Sequence, residues 1–330
     1  MNCLTIRDLS VAYTNGRETA HALNGINLTL EKGRTLGLVG ETGAGKTTTA
    51  LSIMRLLPER TGKVLSGSIS LEGTDVLSLS DEAMRAVRGA KVSMIFQDPM
   101  TSLNPVLTVG EQILEALQLH NTDQKSAAEL NARVDEMLTL VGIPPERKRC
   151  YPHEFSGGMK QRVVIAMALA CSPTLLIADE PTTALDVTIQ AQVLAMMDDL
   201  KQRLGMSMII ITHDLGIVAQ TCDTVAVVYA GEVIESGTFD DFFLQDQRRH
   251  PYTKGLFGSL PRLDQEVRRL QPINGLMPDP SNLPSGCKFH PRCPWASEEC
   301  KQREPSLCES KPGHLVRCLL LEGKEMAEHE

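Results

Sequence analysis

The 330-residue sequence has few aromatic side chains, no excess of basic residues and no long apolar run. Its net charge is −8, so composition gives no overall support for a nucleic-acid-binding surface, and we expect no nucleic acid partner. No stretch approaches 18 consecutive apolar residues, and no charged-then-apolar segment opens the chain. We therefore expect neither a membrane-spanning helix nor a signal peptide, and any work at a membrane must come through partners.

The most informative segment is Gly40–Thr47 (GETGAGKT), which follows the apolar run Arg34–Val39 and precedes a helical pattern over Thr47–Leu57. Glycines let successive backbone N–H groups point at phosphate oxygens, and the helix N-terminus adds partial positive charge. The pattern predicts a phosphate-binding loop for ATP, in which Lys46 contacts the β- and γ-phosphates and the Thr47 hydroxyl binds Mg²⁺. A chance glycine-rich turn, or a loop that only binds nucleotide, is the alternative. The predicted contacts are Gly40, Glu41, Thr42, Gly43, Ala44, Gly45, Lys46, Thr47 and Thr48.

A second buried-strand pattern, Leu175–Ala178, ends at Asp179 and Glu180. Ligands bind at the carboxyl ends of strands in open parallel sheets. We therefore expect Asp179 to hold Mg²⁺ and Glu180 to take the proton from the water that attacks the γ-phosphate. The alternative makes this segment an N-cap region before a helix near Thr188–Leu204.

These motifs, taken in order, resemble the nucleotide-binding subunit of an ABC transporter over about residues 1–245. The resemblance rests on Gly40–Thr47, Gln97, Ser156-Gly157-Gly158-x-x-Gln161, Asp179-Glu180, Ala184-Leu185-Asp186 and His213. More specific phrases, Phe96–Pro105 (FQDPMTSLNP), Asp179–Gln192 and His250–Thr253 (HPYT), resemble the dipeptide, oligopeptide and nickel importer group. The implied fold is an α/β P-loop NTPase ABC cassette, with a RecA-like core, a β-subdomain and an inserted helical subdomain.

The resemblance also implies roles for individual residues. Tyr13 would stack on adenine, although an ordinary half-buried strand tyrosine is the alternative. Gln97 would sense Mg²⁺ and the attacking water, and His213 would orient that water and bind the γ-phosphate. Ser156, Gly157, Gly158 and Gln161 would contact the nucleotide of an opposite subunit, and Asp186 would fix the interface between the subunits. The implied catalytic set is Glu180, His213, Gln97 and Lys46, and the implied Mg²⁺ set is Thr47, Gln97 and Asp179.

Apolar spacing along the chain predicts the remaining elements. Strand-like pieces lie at Leu4–Ile6, Ile26–Leu30, Leu36–Val39, Ser68–Leu71, Leu175–Ala178, Met208–Ile211 and Thr224–Val228. Helical spacing occurs at Val109–Leu119 and Ala127–Val141, within a helical insertion of about residues 98–162. After Gly237 the composition shifts, and the proline-rich Pro272–Pro284 predicts a linker. We divide the chain into an ATPase domain, 1–245, and a small Cys-rich extension, 246–330.

The extension holds five of the nine cysteines: Cys287, Cys293, Cys300, Cys308 and Cys318. Disulfides would not persist in a reducing cytosol, and a zinc site would favour tight Cys-x2-Cys pairs, which are absent. The spacing matches neither ferredoxin pattern, so spacing alone leaves metal binding and unliganded thiols open. The tail is similar to that of dipeptide-permease ATPase subunits. This similarity implies a [4Fe–4S] cluster on Cys287, Cys293, Cys300 and Cys318, with Cys308 unliganded.

The function implied is ATP hydrolysis that drives uptake of dipeptides or oligopeptides, at the cytoplasmic face of the inner (plasma) membrane. The implied partners are a second ABC ATPase subunit, two transmembrane permease subunits and an extracytoplasmic solute-binding protein. Import of nickel or another small solute is an alternative of the same architecture. A soluble ABC ATPase acting on nucleic acid or the ribosome is an alternative of another class.

Overall fold

The computed structural model describes residues 1–16, 18–183, 185–243, 249–258 and 273–322. These residues form two β-sheets with helices packed around the larger one. The strands are β1 (Asn2–Asn15), β2 (Glu18–Glu31), β3 (Thr35–Val39), β4 (Gly62–Leu71), β5 (Thr74–Asp75), β6 (Val92–Ile95), β7 (Leu175–Asp179), β8 (Ser207–Ile211), β9 (Thr224–Tyr229), β10 (Glu232–Thr238), β11 (Cys308–Lys311) and β12 (His314–Val316).

The helices are α1 (Lys46–Ile53), α2 (Asp81–Val87), α3 (Pro99–Ser102), α4 (Val109–Leu119), α5 (Ala127–Leu140), α6 (Gly157–Leu169), α7 (Val187–Leu204), α8 (Leu215–Thr221), α9 (Phe239–Phe243), α10 (Pro251–Gly258) and α11 (Glu298–Gln302). Short 3-10 turns lie at Pro145–Arg149, Pro152–Glu154 and His290–Arg292. The helix predicted at Val109–Leu119 is confirmed, and the one at Ala127–Val141 is one residue shorter. The helix predicted over Thr47–Leu57 ends at Ile53, because Arg55 adopts a left-handed φ of 49°.

The larger sheet has a parallel centre, in which β9, β3, β8, β7 and β6 lie side by side. The strands β3, β7 and β8 are buried along their whole length, as expected where both faces of a parallel sheet are covered. The register pairs Ile211 with both Asp179 and Leu38, so the carboxyl ends of these three strands lie level. Each strand predicted in β7, β8 and β9 is confirmed with one additional residue.

The two faces of the parallel sheet bury two different apolar cores. On one face, Leu38, Ile177 and Ile209 pack with side chains from β1, β2, β4 and α1, so the smaller antiparallel sheet covers this side. On the other face, Leu176 and Ile210 pack with α4 through α8. Alternate residues of one strand therefore serve opposite cores, which fixes the register of the sheet. The strand pieces predicted in β1, β2 and β4 are parts of these longer strands.

The two main helices of the insertion, α4 and α5, each begin with a capping box. The Thr108 side chain accepts the backbone N–H of Glu111, and the Glu111 carboxylate accepts the backbone N–H of Thr108. Ser126 and Glu129 make the same pair of hydrogen bonds at the start of α5. These reciprocal hydrogen bonds satisfy N–H groups that have no partner inside the helix. Apolar residues of α4, α5 and α6 join the core on the helical face of the sheet, so the insertion is packed onto the nucleotide-binding core.

The C-terminal region adds strands to the larger sheet. β12 pairs antiparallel with β10, with Glu235 opposite Val316 and Ser236 opposite Leu315, and β11 pairs with β12. The structure therefore shows Cys308–Val316 packed against the ATPase core, where composition had suggested a small unit beyond a linker. The boundary proposed at 245/246 and residue 272 of the proposed linker lie outside the described residues, and the division remains a prediction.

A buried polar network holds this attachment. The Glu235 carboxylate in β10 contacts Nε2 of His314 in β12 at 2.9 Å and accepts the backbone N–H of His250 at 2.7 Å. All three residues are almost completely buried. Nδ1 of His250 accepts the backbone N–H of Tyr252, and the ring meets Phe289 edge-on. Burial lowers the pKa of His250 to about 3.

We expect stability to fall as the pH drops below about 6.5, where the unfolded His250 begins to bind a proton that the folded ring excludes until about pH 3. Over this window the linked loss is up to about 1.4 kcal/mol per pH unit. Urea unfolding of the purified chain at pH 7 and pH 5.5 measures it. His250→Asn should be less stable at pH 7 but should lose less on acidification. Equal losses in the two proteins would contradict the assignment.

Candidate active site

The predicted phosphate loop lies between the end of β3 and the start of α1. Gly40 has a φ of 153°, and a Cβ there would lie 2.2 Å from the carbonyl oxygen of Val228, so only glycine fits. Gly45 is equally constrained, with a φ of 109° and the Ala22 carbonyl 2.8 Å from its Cβ position. Thr42 and Gly43 at the crest of the loop are exposed, whereas Ala44 is buried beneath it. The crest of the loop is therefore exposed, while Gly40 and Gly45 fix the backbone conformation at its two ends.

Lys46 folds back over the loop. Its Nζ donates hydrogen bonds to the carbonyl oxygens of Gly40 at 2.8 Å and Glu41 at 2.9 Å, and its side chain is almost completely buried. Burial lowers the pKa of Lys46, and the carboxylates of Glu180, Asp179 and Glu41 oppose that shift. The ammonium group is therefore held at the concave side of the loop, where an incoming phosphate would replace the carbonyl oxygens as its partner.

Thr47 and Asp179 form the candidate magnesium position. The Thr47 hydroxyl donates to the Asp179 carboxylate at 2.8 Å, which joins α1 to the end of β7. Burial raises the pKa of Asp179, and the Thr47 hydrogen bond opposes the shift. Mg²⁺ in phosphate sites is held by one or two protein oxygens together with phosphates and water. A hydroxyl and a carboxylate in contact at the foot of the phosphate loop fit that ligand set.

Glu180 is the centre of a second group of predicted residues. Its carboxylate accepts hydrogen bonds from Gln97 Nε2 at 2.8 Å and Thr183 Oγ1 at 3.0 Å, and it lies 3.0 Å from His213 Nδ1. Burial would raise the pKa of Glu180, but the contacts with His213, Thr183 and Gln97 outweigh it and lower the pKa. Its backbone has a left-handed φ of 47° and its N–H binds the Ile211 carbonyl, so the carboxylate is held anionic in a fixed position.

Tyr13 lies beside the start of α1. Its hydroxyl is 3.4 Å from Thr48 Oγ1, and its ring edge passes close to Gly62, where a Cβ would lie 3.2 Å away. The ring is half-buried, so one part of it faces solvent next to the phosphate loop.

The segment predicted to serve an opposite subunit lies on the surface. Ser156 caps α6 and Gly157 is exposed; among the described residues, a Leu185 methyl at 3.9 Å is the contact nearest its Cβ position. Gly158 packs against Ile189 so closely that a Cβ would lie 2.6 Å from it. Asp186 caps α7 and is exposed, and Ala184 lies outside the described residues. Within the described chain, no hydrogen bond joins Ser156–Gly158 to the phosphate loop.

The structure places Gln161 differently from expectation. Its side chain is fully buried, and neither amide atom has a hydrogen-bond partner among the residues that the structure describes. A side chain enclosed in this way does not reach a nucleotide, so we correct the assignment of Gln161 as a nucleotide contact. Gln161, Ile165 and Leu169 recur at four-residue intervals on the buried face of α6, and that spacing is the signal that identifies its position.

Two contacts of the phosphate loop were missed from the sequence. The hydroxyl of Tyr252 accepts the backbone N–H of Glu41 at 2.9 Å, and Arg292 forms an ion pair with the Glu41 carboxylate at 3.0 Å. Tyr252 belongs to the HPYT phrase, and Arg292 directly precedes Cys293. Both come from far along the chain, so local pattern gave no indication that they meet the loop.

The four cysteines proposed as cluster ligands lie near one another. The backbone N–H of Cys287 binds the Cys300 carbonyl at 2.9 Å, which joins two of the segments. Burial raises the pKa of the Cys287 thiol to about 11, and the neighbouring thiols of Cys300, Cys318 and Cys293 raise it as well. Cys308 lies in β11, opposite Val316.

Backbone donors surround three of these sulfur atoms. Burial raises the pKa values of Cys293 and Cys318, whereas N–H groups shortly after each cysteine lower them. The donors are Phe289 for Cys287, Trp295 for Cys293, and Leu320 with Leu321 for Cys318. No three His, Cys, Asp or Glu side chains among the described residues converge closely enough to hold a single metal ion. The described residues therefore show no site for a single ion such as zinc.

Comparison with known proteins agrees with the geometry. A family profile described as "ABC transporter" matches residues 23–183, and one described as "Oligopeptide/dipeptide transporter, C-terminal region" matches residues 234–300. The chain is 50% identical over 321 residues to the oligopeptide transport ATP-binding protein AppD of Bacillus subtilis, covering 97% of each. It is 51% identical over 328 residues to the dipeptide transport ATP-binding protein DppD of the same organism, covering 99% of this chain and 96% of the relative.

Among solved structures, the chain resembles a dimeric post-hydrolysis state of the ATP-binding cassette MJ0796 bound to ADP and Pi. The TM-score is 0.64 at 26% identity, covering 72% of this chain and 98% of the other. The P-loop ABC cassette fold expected from the motifs is thereby confirmed. The chain belongs to the ATP-binding proteins of ABC transporters, in the oligopeptide/dipeptide group, and it is an ATPase. ATP and Mg²⁺ are accordingly its cofactors. No helix in the described part of the chain is long and apolar enough to cross a membrane.

Replacing Glu180 with Gln should slow ATP hydrolysis by on the order of 10²–10⁴, because the proton acceptor is lost while the shape is kept. ATP binding should stay nearly intact. Hydrolysis is measured in the assembled transporter and binding on the same preparation. Thr183→Val is the matched control: it removes one hydrogen bond to Glu180 at 3.0 Å but leaves the carboxylate, and should cost no more than about tenfold. A Gln variant that hydrolyses ATP at the parental rate would show that Glu180 is not the base.

Proposed function

We propose that this chain hydrolyses ATP to drive the import of dipeptides or oligopeptides as a peripheral subunit at the cytoplasmic face of the inner (plasma) membrane. The observation that carries the hydrolytic part is the convergence of Gln97, Thr183 and His213 on Glu180, beside the Thr47–Asp179 contact. The choice of peptides follows the relatives, whose names state oligopeptide and dipeptide transport.

In this proposal the backbone N–H groups of Gly40–Thr47 bind the ATP phosphates, and Lys46 exchanges its carbonyl partners for the β- and γ-phosphates. Thr47 and Asp179 hold Mg²⁺, whose charge offsets that of the phosphates, and Gln97 completes this side of the site. Glu180, already anionic, accepts the proton of the attacking water, and His213 orients the water and the γ-phosphate. Tyr13 offers the solvent-facing part of its ring to adenine.

We propose that a second subunit completes the site, because Thr42 and Gly43 at the crest of the phosphate loop are exposed in the single chain. Ser156 and Gly157 are exposed at the N-terminus of α6, where a hydroxyl, free N–H groups and the helix dipole favour an anion. We propose that they contact the γ-phosphate bound to a second ABC ATPase subunit, with Asp186 at the interface. The resemblance to a dimeric cassette supports this arrangement.

We propose that the other partners are two transmembrane permease subunits and a solute-binding protein outside the cytoplasm. The helical insertion, about residues 98–162, is the surface proposed for the permease. It directly follows Gln97, so movement of the permease would reach the residue that contacts Glu180. Solute selection would then belong to the binding protein and the permease.

We also propose a [4Fe–4S] cluster on Cys287, Cys293, Cys300 and Cys318. The proposal is supported by the similarity of the tail to that of dipeptide-permease ATPase subunits and by the backbone N–H groups placed at three of the four sulfur atoms. When bound, the cluster would cross-link the segments that carry these four residues. The protein supplies a shell that is already packed against the core, since Cys287 and Cys293 contact its apolar side chains.

Gly157→Asp should abolish ATP hydrolysis by the assembled transporter while the isolated variant still binds ATP normally. The new side chain fits, because the nearest described atom to the Cβ position is a Leu185 methyl at 3.9 Å, but its charge would face the partner's γ-phosphate. Ser68→Asp, an equally charged change at an exposed position of β4 outside the insertion, should leave hydrolysis unchanged. Normal hydrolysis by Gly157→Asp would refute a composite site, and lost ATP binding in the isolated variant would place Gly157 in its own chain's site.

Protein purified without oxygen should contain about four irons per chain and absorb visible light, as a cube on four thiolates requires. Serine at Cys287, Cys293, Cys300 or Cys318 should each lower both readings, whereas Cys308→Ser is the matched control and should change neither. Iron analysis and absorbance are measured on the same samples. Colourless protein with one zinc per chain would refute the cluster and leave the ATPase assignment standing.

A further inference from the structure

Arg292 belongs to the C-terminal region, but its side chain is directed at the phosphate loop. Nη1 lies 3.0 and 3.3 Å from the two carboxylate oxygens of Glu41, a residue 251 positions earlier. Only 5% of the Arg292 side chain is exposed, whereas 31% of the Glu41 side chain is, so the ion pair is partly buried. Glu41 is the second residue of Gly40–Thr47, which makes this ion pair a direct link between the Cys-rich region and the loop.

The guanidinium group is fixed from several sides. Its Nε donates to the Asn274 carbonyl at 2.9 Å, and its plane lies over the rings of Tyr229 and Phe289 at 5.8 and 6.0 Å. The Tyr229 hydroxyl is 3.5 Å from Nη1. An arginine with this many partners has one available position, and the ion pair costs little further conformational entropy.

Glu41 is in turn held through both its side chain and its backbone. Its N–H donates to the buried Tyr252 hydroxyl, and its carbonyl oxygen accepts from Lys46 Nζ at 2.9 Å. The residue that Arg292 holds therefore carries one of the two carbonyl groups to which Lys46 is bound. Any displacement of Glu41 would move both the loop and a partner of Lys46.

The ion pair between Arg292 and Glu41 also changes the electrostatics of the phosphate loop. A carboxylate inside a loop that binds a polyanion would repel the phosphates, and at such distances the repulsion is poorly screened. Arg292 neutralises Glu41 and keeps its carboxylate turned toward the C-terminal region. Loss of Arg292 would leave a negative charge free beside the phosphates, which is a different defect from a loss of packing.

We propose that Arg292 is a positioning residue of the nucleotide site, acting through Glu41 to hold and neutralise the phosphate loop. The C-terminal region is thereby a working part of the ATP site. This inference rests on the proposed role of Gly40–Thr47 in binding phosphates, and it holds with or without a metal group on the neighbouring cysteines.

The test is equilibrium binding of a non-hydrolysable ATP analogue with Mg²⁺ to the isolated full chain. Arg292→Met should weaken binding about tenfold, as expected from one uncompensated charge at this range. Adding Glu41→Gln to the same chain should restore most of the affinity, because the unpaired charge is then gone. Arg292→Lys keeps the charge and should lose no more than about threefold. A merely structural role predicts no such restoration.

Two control variants and two further measurements separate the possible outcomes. Arg303→Met is the matched control, since Arg303 pairs with Glu299 and Glu322 on the surface of the same region, and its affinity should be unchanged. Iron content and thermal midpoint are measured on every variant. If Arg292→Met binds normally, or if Glu41→Gln fails to restore it, the inference is overturned. Lys46→Ala serves as the reference: if it binds normally, the proposed phosphate site itself is wrong.

Discussion

The register of the parallel strands is the constraint on which the rest of the site depends. Because Ile211 is level with both Leu38 and Asp179, the ends of β3, β7 and β8 meet at one edge of the sheet. Three segments distant in sequence thereby bring Thr47, Glu180 and His213 together. A shift of one residue in β7 would reverse its faces, exchanging the side chains that serve the two apolar cores. The packing of both cores therefore enforces the alignment that the chemistry requires.

The parts of this site that sequence pattern predicted are those with a local signature. Gly40–Thr47 carries its own backbone requirement in Gly40 and Gly45, and Asp179 is marked by the apolar run before it. Strand ends in parallel sheets are a general place for ligands, so the neighbourhood of Glu180 followed from strand type alone. The roles expected of Gln97 and His213 rested on resemblance, and their contacts with Glu180 were not predicted, because no local rule relates residues 83 or 33 positions apart.

What the sequence did not reveal depends on tertiary pairing. Proline content and a change of composition suggested a separate C-terminal unit, but β12 joins the larger sheet through the buried Glu235–His314 contact. Histidine and glutamate have no tendency toward burial, so their pairing is visible only once the strands are adjacent. Gln161 shows the opposite error: its place within a recognised motif drew attention away from its buried helical spacing. The place of a residue in a motif does not by itself show whether its side chain is exposed.

Three carboxyl groups lie at this edge of the sheet, and each needs residues that hold it by hydrogen bonds or an ion pair. Glu41, Asp179 and Glu180 place three carboxyl groups around a single lysine, Lys46, before a polyanionic ligand arrives. Each group has its own partner: Arg292 for Glu41, Thr47 for Asp179, and His213 with Gln97 and Thr183 for Glu180. Burial raises the pKa of Asp179 while hydrogen bonding lowers that of Glu180, so the two adjacent groups differ in how readily they ionise. A divalent cation arriving with the nucleotide would favour the ionised form of Asp179. With the carboxylates compensated separately, the ammonium group of Lys46 is available to the phosphates.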